Sequence, residues 1–151
     1  MRYWVVGMLL ATLLGPAMVR GAESLDTIII DAGYDKQTRV AVVPFRQGPE
    51  FARQQQMSDI VSFDLARSGQ FAPLDLENML SFPTSRAEVF FRDWRVLGVE
   101  YLVIGTTSVD AAGDLAVGYE LYDVLNERQM LRAQKSASRS QWRDVAHKIS
   151  D

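Results

Sequence analysis

Residues Tyr101–Ala137 read YLVIGTTSVDAAGDLAVGYELYDVLNERQMLRAQKSA, and this stretch decides the fold. Two turn signals divide it. Asp110-Ala111-Ala112-Gly113-Asp114 gathers residues that favour turns, and Asn126-Glu127 makes a second break. The pieces between are short and rich in strand formers. Tyr101–Thr107 predicts one strand. In the next, Leu115, Val117, Tyr119, Leu121 and Asp123 alternate with Ala116, Gly118, Glu120, Tyr122 and Val124, the period of two expected of a strand. Gln129–Ala137 predicts a third. Short connections join antiparallel neighbours, so the stretch predicts a three-strand meander.

Upstream, Arg39-Val40-Ala41-Val42-Val43-Pro44-Phe45 is continuously apolar after its first residue, which suits a strand covered on both faces. Pro44 has no N–H to donate and should mark the strand's end. Thr27-Ile28-Ile29-Ile30 is a β-branched run before the turn signal Asp31-Ala32-Gly33. A helix is predicted over Phe51–Ser68, where Met57, Ile60, Val61, Asp64 and Leu65 recur at helical spacing and Gly69 stands at the position of a C-terminal cap. A loop with Pro73 and one helical turn at Leu76–Leu80 follow. Ser85-Arg86-Ala87-Glu88 has the form of a capping box, opening a helix with Phe90, Trp94 and Leu97 on one face and Gly98 at its end. A last helix begins near Ser140, places Trp142, Val145, Ala146 and Ile149 on one face, and is expected to be cut at Asp151. The order β-β-α-α-β-β-β-α predicts an α+β (two-layer α/β) domain: a mixed sheet of about five strands with helices packed against it.

The 151 residues suit a single domain, and the 48% apolar and 23% charged shares are those of a globular protein. A net charge of −3 does not resemble the basic footprint of a nucleic-acid binder. Residues 1–21 have the layout of a secretory signal peptide: Arg2, then an uncharged stretch from Tyr3 to Val19, broken by Gly15-Pro16 and followed by the small residues Gly21 and Ala22. Cleavage between Gly21 and Ala22 is expected, with Ala17 offering an earlier site. A chain without cysteine cannot carry a disulfide, a thiolate metal site or an acylated cysteine anchor.

Residues that carry chemistry are sparse. His147 is the only histidine and lies off the apolar stripe of the last helix, as a solvated residue would. Asp31 and Asp35 form a carboxylate pair, read as turn formers beside glycine rather than acid–base groups. Phe90, Phe91 and Trp94 read as core rather than as a ligand platform. No phosphate loop, nucleophile elbow or calcium loop is present, and neither a metal nor a cofactor is expected. The feature that stands apart is the Ile28–Ile30 run just beyond the expected cleavage point. Such a segment either pairs with its own sheet or adds itself to the edge of a partner's sheet.

Several stretches together resemble the amino-terminal part of the TolB family, periplasmic components of the Tol-Pal system of Gram-negative bacteria. They are Ile30-Asp31-Ala32-Gly33-Tyr34-Asp35, Val40-Ala41-Val42-Val43-Pro44-Phe45, Asp64 to Phe71, Trp94 to Gly105, Tyr119 to Val124 and Gln141 to Asp151. The resemblance implies an α/β domain over 37–151, joined in the family to a six-bladed propeller of which this chain has no repeats. It implies a non-enzymatic role, with residues 22–36 binding TolA of the inner membrane through positions matching Ile28, Ile30, Asp31, Gly33 and Asp35. The propeller binds the lipoprotein Pal, which controls whether that segment is free, and the system supports outer-membrane integrity and constriction at division. The chain departs from the pattern at Asp26-Thr27, where the family has a basic residue. Two alternatives differ in class. An envelope assembly domain of the LpoB or CsgG type shares the V-x-V-x-P-F strand but calls for a lipidation cysteine. A small-molecule-binding periplasmic domain calls for a convergent polar cluster.

Overall fold

The computed structural model describes residues 36–48 and 55–151. Six strands and three helices form in chain order: β1 (Thr38–Val42), β2 (Arg46–Gln47), α1 (Gln55–Arg67), β3 (Phe71–Pro73), α2 (Phe91–Val96), β4 (Tyr101–Val109), β5 (Leu115–Asp123), β6 (Arg128–Ala137) and α3 (Trp142–Ser150). The sheet runs β3-β1-β4-β5-β6, with β2 also beside β4. It is mixed, as expected. β1 is parallel to both β3 and β4, whereas β4, β5 and β6 are the antiparallel meander.

Alternate residues of the strands feed two cores on opposite faces. Val40, Val42, Val103, Leu115, Val117 and Tyr119 meet Met57 and Val61 of α1 and Trp142, Val145 and Ala146 of α3. The other parity, including Ala41, Val43, Leu102, Ile104 and Tyr122, meets Phe91 and Trp94 of α2. β1 is thus covered on both faces, which is why its sequence does not alternate.

Pro44 ends β1 as its missing N–H requires, yet the pairing resumes. Val42 lies opposite Val103 and Arg46 opposite Thr106, so the first strand carries one residue more than its partner across the proline. That extra step drops Phe45 into the core beside Gly105, where a Cβ would come within 2.7 Å of the phenyl ring. Glycine in the middle of β4 is the space that the ring occupies.

Three local expectations are corrected. The segment with Pro73 is not a loop: Phe71–Pro73 is an edge strand, with Thr38 opposite Phe71 and Val40 opposite Pro73. Proline is tolerated there because an edge strand has a side that needs no donor. The predicted helix from Ser85 starts only at Phe91. Residues Arg86–Glu88 instead make a single 3-10 turn, and Ser85 makes no side-chain cap bond. The carboxylate of Glu88 accepts from the N–H of Thr84 at 2.7 Å and from its hydroxyl at 2.9 Å, so the reciprocal bond forms one residue earlier than the box predicts. Phe90, in extended backbone ahead of α2, is therefore 66% exposed, and Phe91 takes the core position expected of it.

Other stop signals act as read. Gly69 and Gly98 take φ of +76° and +72° just past α1 and α2. After Gly98 the N–H of Val99 returns to the carbonyl of Trp94 at 3.0 Å. At the end of α3, the N–H of Asp151 bonds His147 O at 3.2 Å. The signal-peptide reading of 1–21, the strand reading of Thr27–Ile30 and the turn reading of Asp31 and Asp35 lie outside the described residues.

Candidate partner-binding surface

Ile28, Ile30, Asp31, Gly33 and Asp35, the residues singled out for partner binding, and the cleavage pair Gly21 and Ala22 likewise lie outside the described residues. The root of that segment is described. Gln37 Nε2 donates to the carbonyl of Gly69 at 3.0 Å, and the Thr38 N–H donates to Gln70 O at 2.9 Å. The chain therefore enters the sheet beside the glycine cap of α1. Thr38 is paired with β3 alone, and β4 joins only at Val40.

The same end of the sheet carries a groove of about 630 Å³. Leu65, Phe71, Tyr101, Leu121, Leu131 and Ile149 line it, together with the last two residues, Ser150 and Asp151. Leu131 on the edge strand β6 remains 45% exposed and its neighbour Met130 47%. No sequence reading found this groove, because its walls come from residues as far apart as Thr38 and Asp151 and from five strands. The signal lay in Met130 and Leu131, large apolar residues on an otherwise polar strand.

His147 is half-exposed but not merely solvated. Its Nδ1–H donates to Asp64 Oδ2 at 2.5 Å, and the hydroxyl of Ser150 donates to the same oxygen at 3.0 Å. Arg67 stands 3.7 Å from the other carboxylate oxygen. The His147 bond is the main reason that the Asp64 carboxyl is held below its ordinary range, with Ser150 and Arg67 adding to it and partial burial opposing. These bonds pin α3 to α1. The Ser150 hydroxyl lies within reach of two acceptors, Asp64 Oδ2 at 3.0 Å and the carbonyl of His147 at 2.8 Å.

A second polar group sits on the opposite face. The Tyr122 hydroxyl donates to Glu120, which also faces Arg132 at 3.4 Å, and the Arg86 guanidinium lies over the Phe91 ring at 4.4 Å. Burial, and then the bond to Glu120, pushes the Tyr122 phenol well above its ordinary pKa. Among the described residues, no three His, Asp or Glu side chains converge on a point that would hold a metal, and no helix is long and apolar enough to cross a membrane.

Comparison with known proteins fits this architecture. Residues 26–130 match the TolB amino-terminal domain. The chain belongs to the TolB amino-terminal domain family. "Tol-Pal system protein TolB" of Pseudomonas syringae pv. syringae is 38% identical over 145 residues, which is 96% of this chain and 33% of that protein. The protein of the same name from Pseudomonas aeruginosa is 40% identical over 134 residues, 89% of this chain and 31% of its own length. The chain thus spans about a third of the curated TolB relatives it matches. The crystal structure of TolB from Acinetobacter baumannii superposes with a TM-score of 0.63 at 28% identity, over 77% of this chain and 27% of that one. The LpoB C-terminal domain from Salmonella enterica superposes at 0.54 with 12% identity, covering 68% of this chain and 83% of that one. At that identity, the LpoB domain shares with this chain the fold alone.

Proposed function

We propose that this chain is a non-enzymatic interaction module of the Tol-Pal envelope system, exported to the periplasm, whose amino-terminal segment 22–36 binds TolA. The observation that carries this reading is the family match, which begins at residue 26, inside that segment. The relatives' name, Tol-Pal system protein TolB, supports a place in that envelope system; the wider role proposed, in outer-membrane integrity and in constriction at division, is what the family resemblance implies. The signal-like pattern of residues 1–21 supports export and cleavage between Gly21 and Ala22.

Strand addition is the mode proposed. A β-branched run draws affinity from main-chain hydrogen bonds and specificity from alternate side chains. Ile28 and Ile30 share one side and contribute more than Ile29, while Gly33 lets the chain turn away between Asp31 and Asp35. Binding is weak, because fixing a segment's backbone on a partner opposes it by about 1–2 kcal/mol per residue. Pal engagement is assigned to the propeller of the longer family members and to no residue of this chain. The test is to recover the protein from periplasm, confirm by mass that it starts at Ala22, and titrate it with the C-terminal domain of TolA. Binding that disappears when residues 22–36 are removed is the expected result. Equal affinity with and without them removes the assignment.

A further inference from the structure

The sheet ends on β6, which among the described residues has a neighbouring strand on one side only. Alternate main-chain donors and acceptors of Arg128–Ala137 are therefore turned outward, and its side chains are exposed along almost the whole strand. The edge is also basic. From Arg128 to Arg143, which covers β6 and the turn into α3, the sequence holds Arg128, Arg132, Lys135, Arg139 and Arg143 and no Asp or Glu, in a chain whose net charge is −3. We propose that this edge receives an extended, acidic segment of a partner protein as a further strand beside β6. The placement of the cations favours a strand over a flat anionic surface. Lys135 lies opposite Val117 and Arg132 opposite Glu120, so the two project from opposite faces of the sheet. A flat surface meets one of them, whereas a strand laid along the edge, with side chains that alternate, passes both. Arg132 remains 76% exposed even though it stands 3.4 Å from Glu120. The register steps from Leu121 opposite Leu131 to Tyr122 opposite Gln129, so Met130 is the extra residue of a bulge, and Leu131–Ala137 beyond it is a regular stretch long enough for an ordinary strand pair. Met130 and Leu131, both about half-exposed, add apolar contact at its start. A second copy of this chain does not fit, because two β6 edges laid together would set Arg132 and Lys135 among their own copies, and like charges across strands repel. An edge whose cations and bulge served only to keep copies apart would bind no peptide at all.

The probe is a peptide of about eight residues, alternating glutamate and valine and blocked at both ends, a length that matches the regular part of β6. It is titrated against this chain while backbone amides are followed by NMR. Saturable shifts and slowed hydrogen exchange confined to Leu131–Ala137 and the residues beside them are expected. The same peptide with lysine in place of glutamate should not bind, and one methylated at every amide nitrogen should not bind either, because it cannot donate to the edge. Lys135 is exposed, so its replacement leaves the fold intact. Lys135→Glu should weaken the acidic peptide by about fivefold or more, and Lys135→Gln by less, with the amide spectrum elsewhere unchanged. An acidic peptide that leaves Leu131–Ala137 unperturbed overturns the inference. Equal binding of the methylated peptide overturns it as well, since attraction would then be charge alone, and so does equal binding of the lysine peptide. Binding that emerges only after residues 22–36 are removed would assign the edge to the chain's own acidic amino-terminal segment instead. TolA enters none of these measurements, so this inference and the proposed function fail separately.

Discussion

Two residue pairs show how much of this domain rests on single contacts between distant parts of the chain. The ring of Phe45 fills the place of a side chain at Gly105. Gly105→Ala should therefore destabilise by about 1–3 kcal/mol, the usual range for overpacking a filled core, read as a lower denaturation midpoint. A cost below ~0.5 kcal/mol would show that the ring moves aside freely. Asp64 and His147 join α1 to α3. An aspartate whose folded pKa is depressed contributes stability that is fully present above its unfolded value, near pH 4, and is lost as pH falls through the lower folded value. The domain should lose stability over that acid range, and Asp64→Asn should flatten this part of the profile while costing about 1–3 kcal/mol at pH 7. Parallel melting curves for the two proteins from pH 7 to 3 would show that the pair contributes nothing. Neither partnership is written in the local sequence. His147 reads as a solvated residue because its partner lies on another helix, and Gly105 reads as an ordinary strand glycine because the ring that needs it belongs to the distant link between β1 and β2.

At the scale of elements, what was legible is what local chemistry decides. The meander announced itself through its period of two and through turn residues, and α3 through its apolar stripe. Trp142 is 6% exposed, with the Arg143 guanidinium over its ring at 4.9 Å. Trp142→Ala should accordingly cost about 3–5 kcal/mol in chemical denaturation. A cost under ~1 kcal/mol would mean that α3 presents a different face to the sheet. What escaped was decided by neighbours. β3 is three residues ending in proline, and it becomes a strand only because β1 lies beside it. β2 is two residues long and exists through its register with Thr106 and Thr107. α2 starts late because Arg86–Glu88 closes a separate 3-10 turn, with Glu88 bound to both the N–H and the hydroxyl of Thr84, an arrangement that a motif cannot foresee. The groove escaped for the strongest form of the same reason, since no single element contains more than a fraction of its wall.

Among the described residues, the sheet is a local half joined to a non-local one. β4, β5 and β6 pair with their sequence neighbours, and their hairpins close across short turns. β1 lies between β3 and β4, strands that come later in the chain, and Val42 finds its β4 partner at Val103. A polypeptide made amino-terminus first therefore holds a finished central strand long before it has the strand that will shield its far side. At about 5–20 residues per second, the roughly 60 residues between Val42 and Val103 correspond to a wait of about 3–12 seconds. Throughout it, the run from Val40 to Val43 carries an open row of amides and four apolar side chains, the pattern from which intermolecular sheets grow. Until β4 is available, Val40–Val43 is open to pairing with another chain, and a holdase that grips it should reduce aggregation.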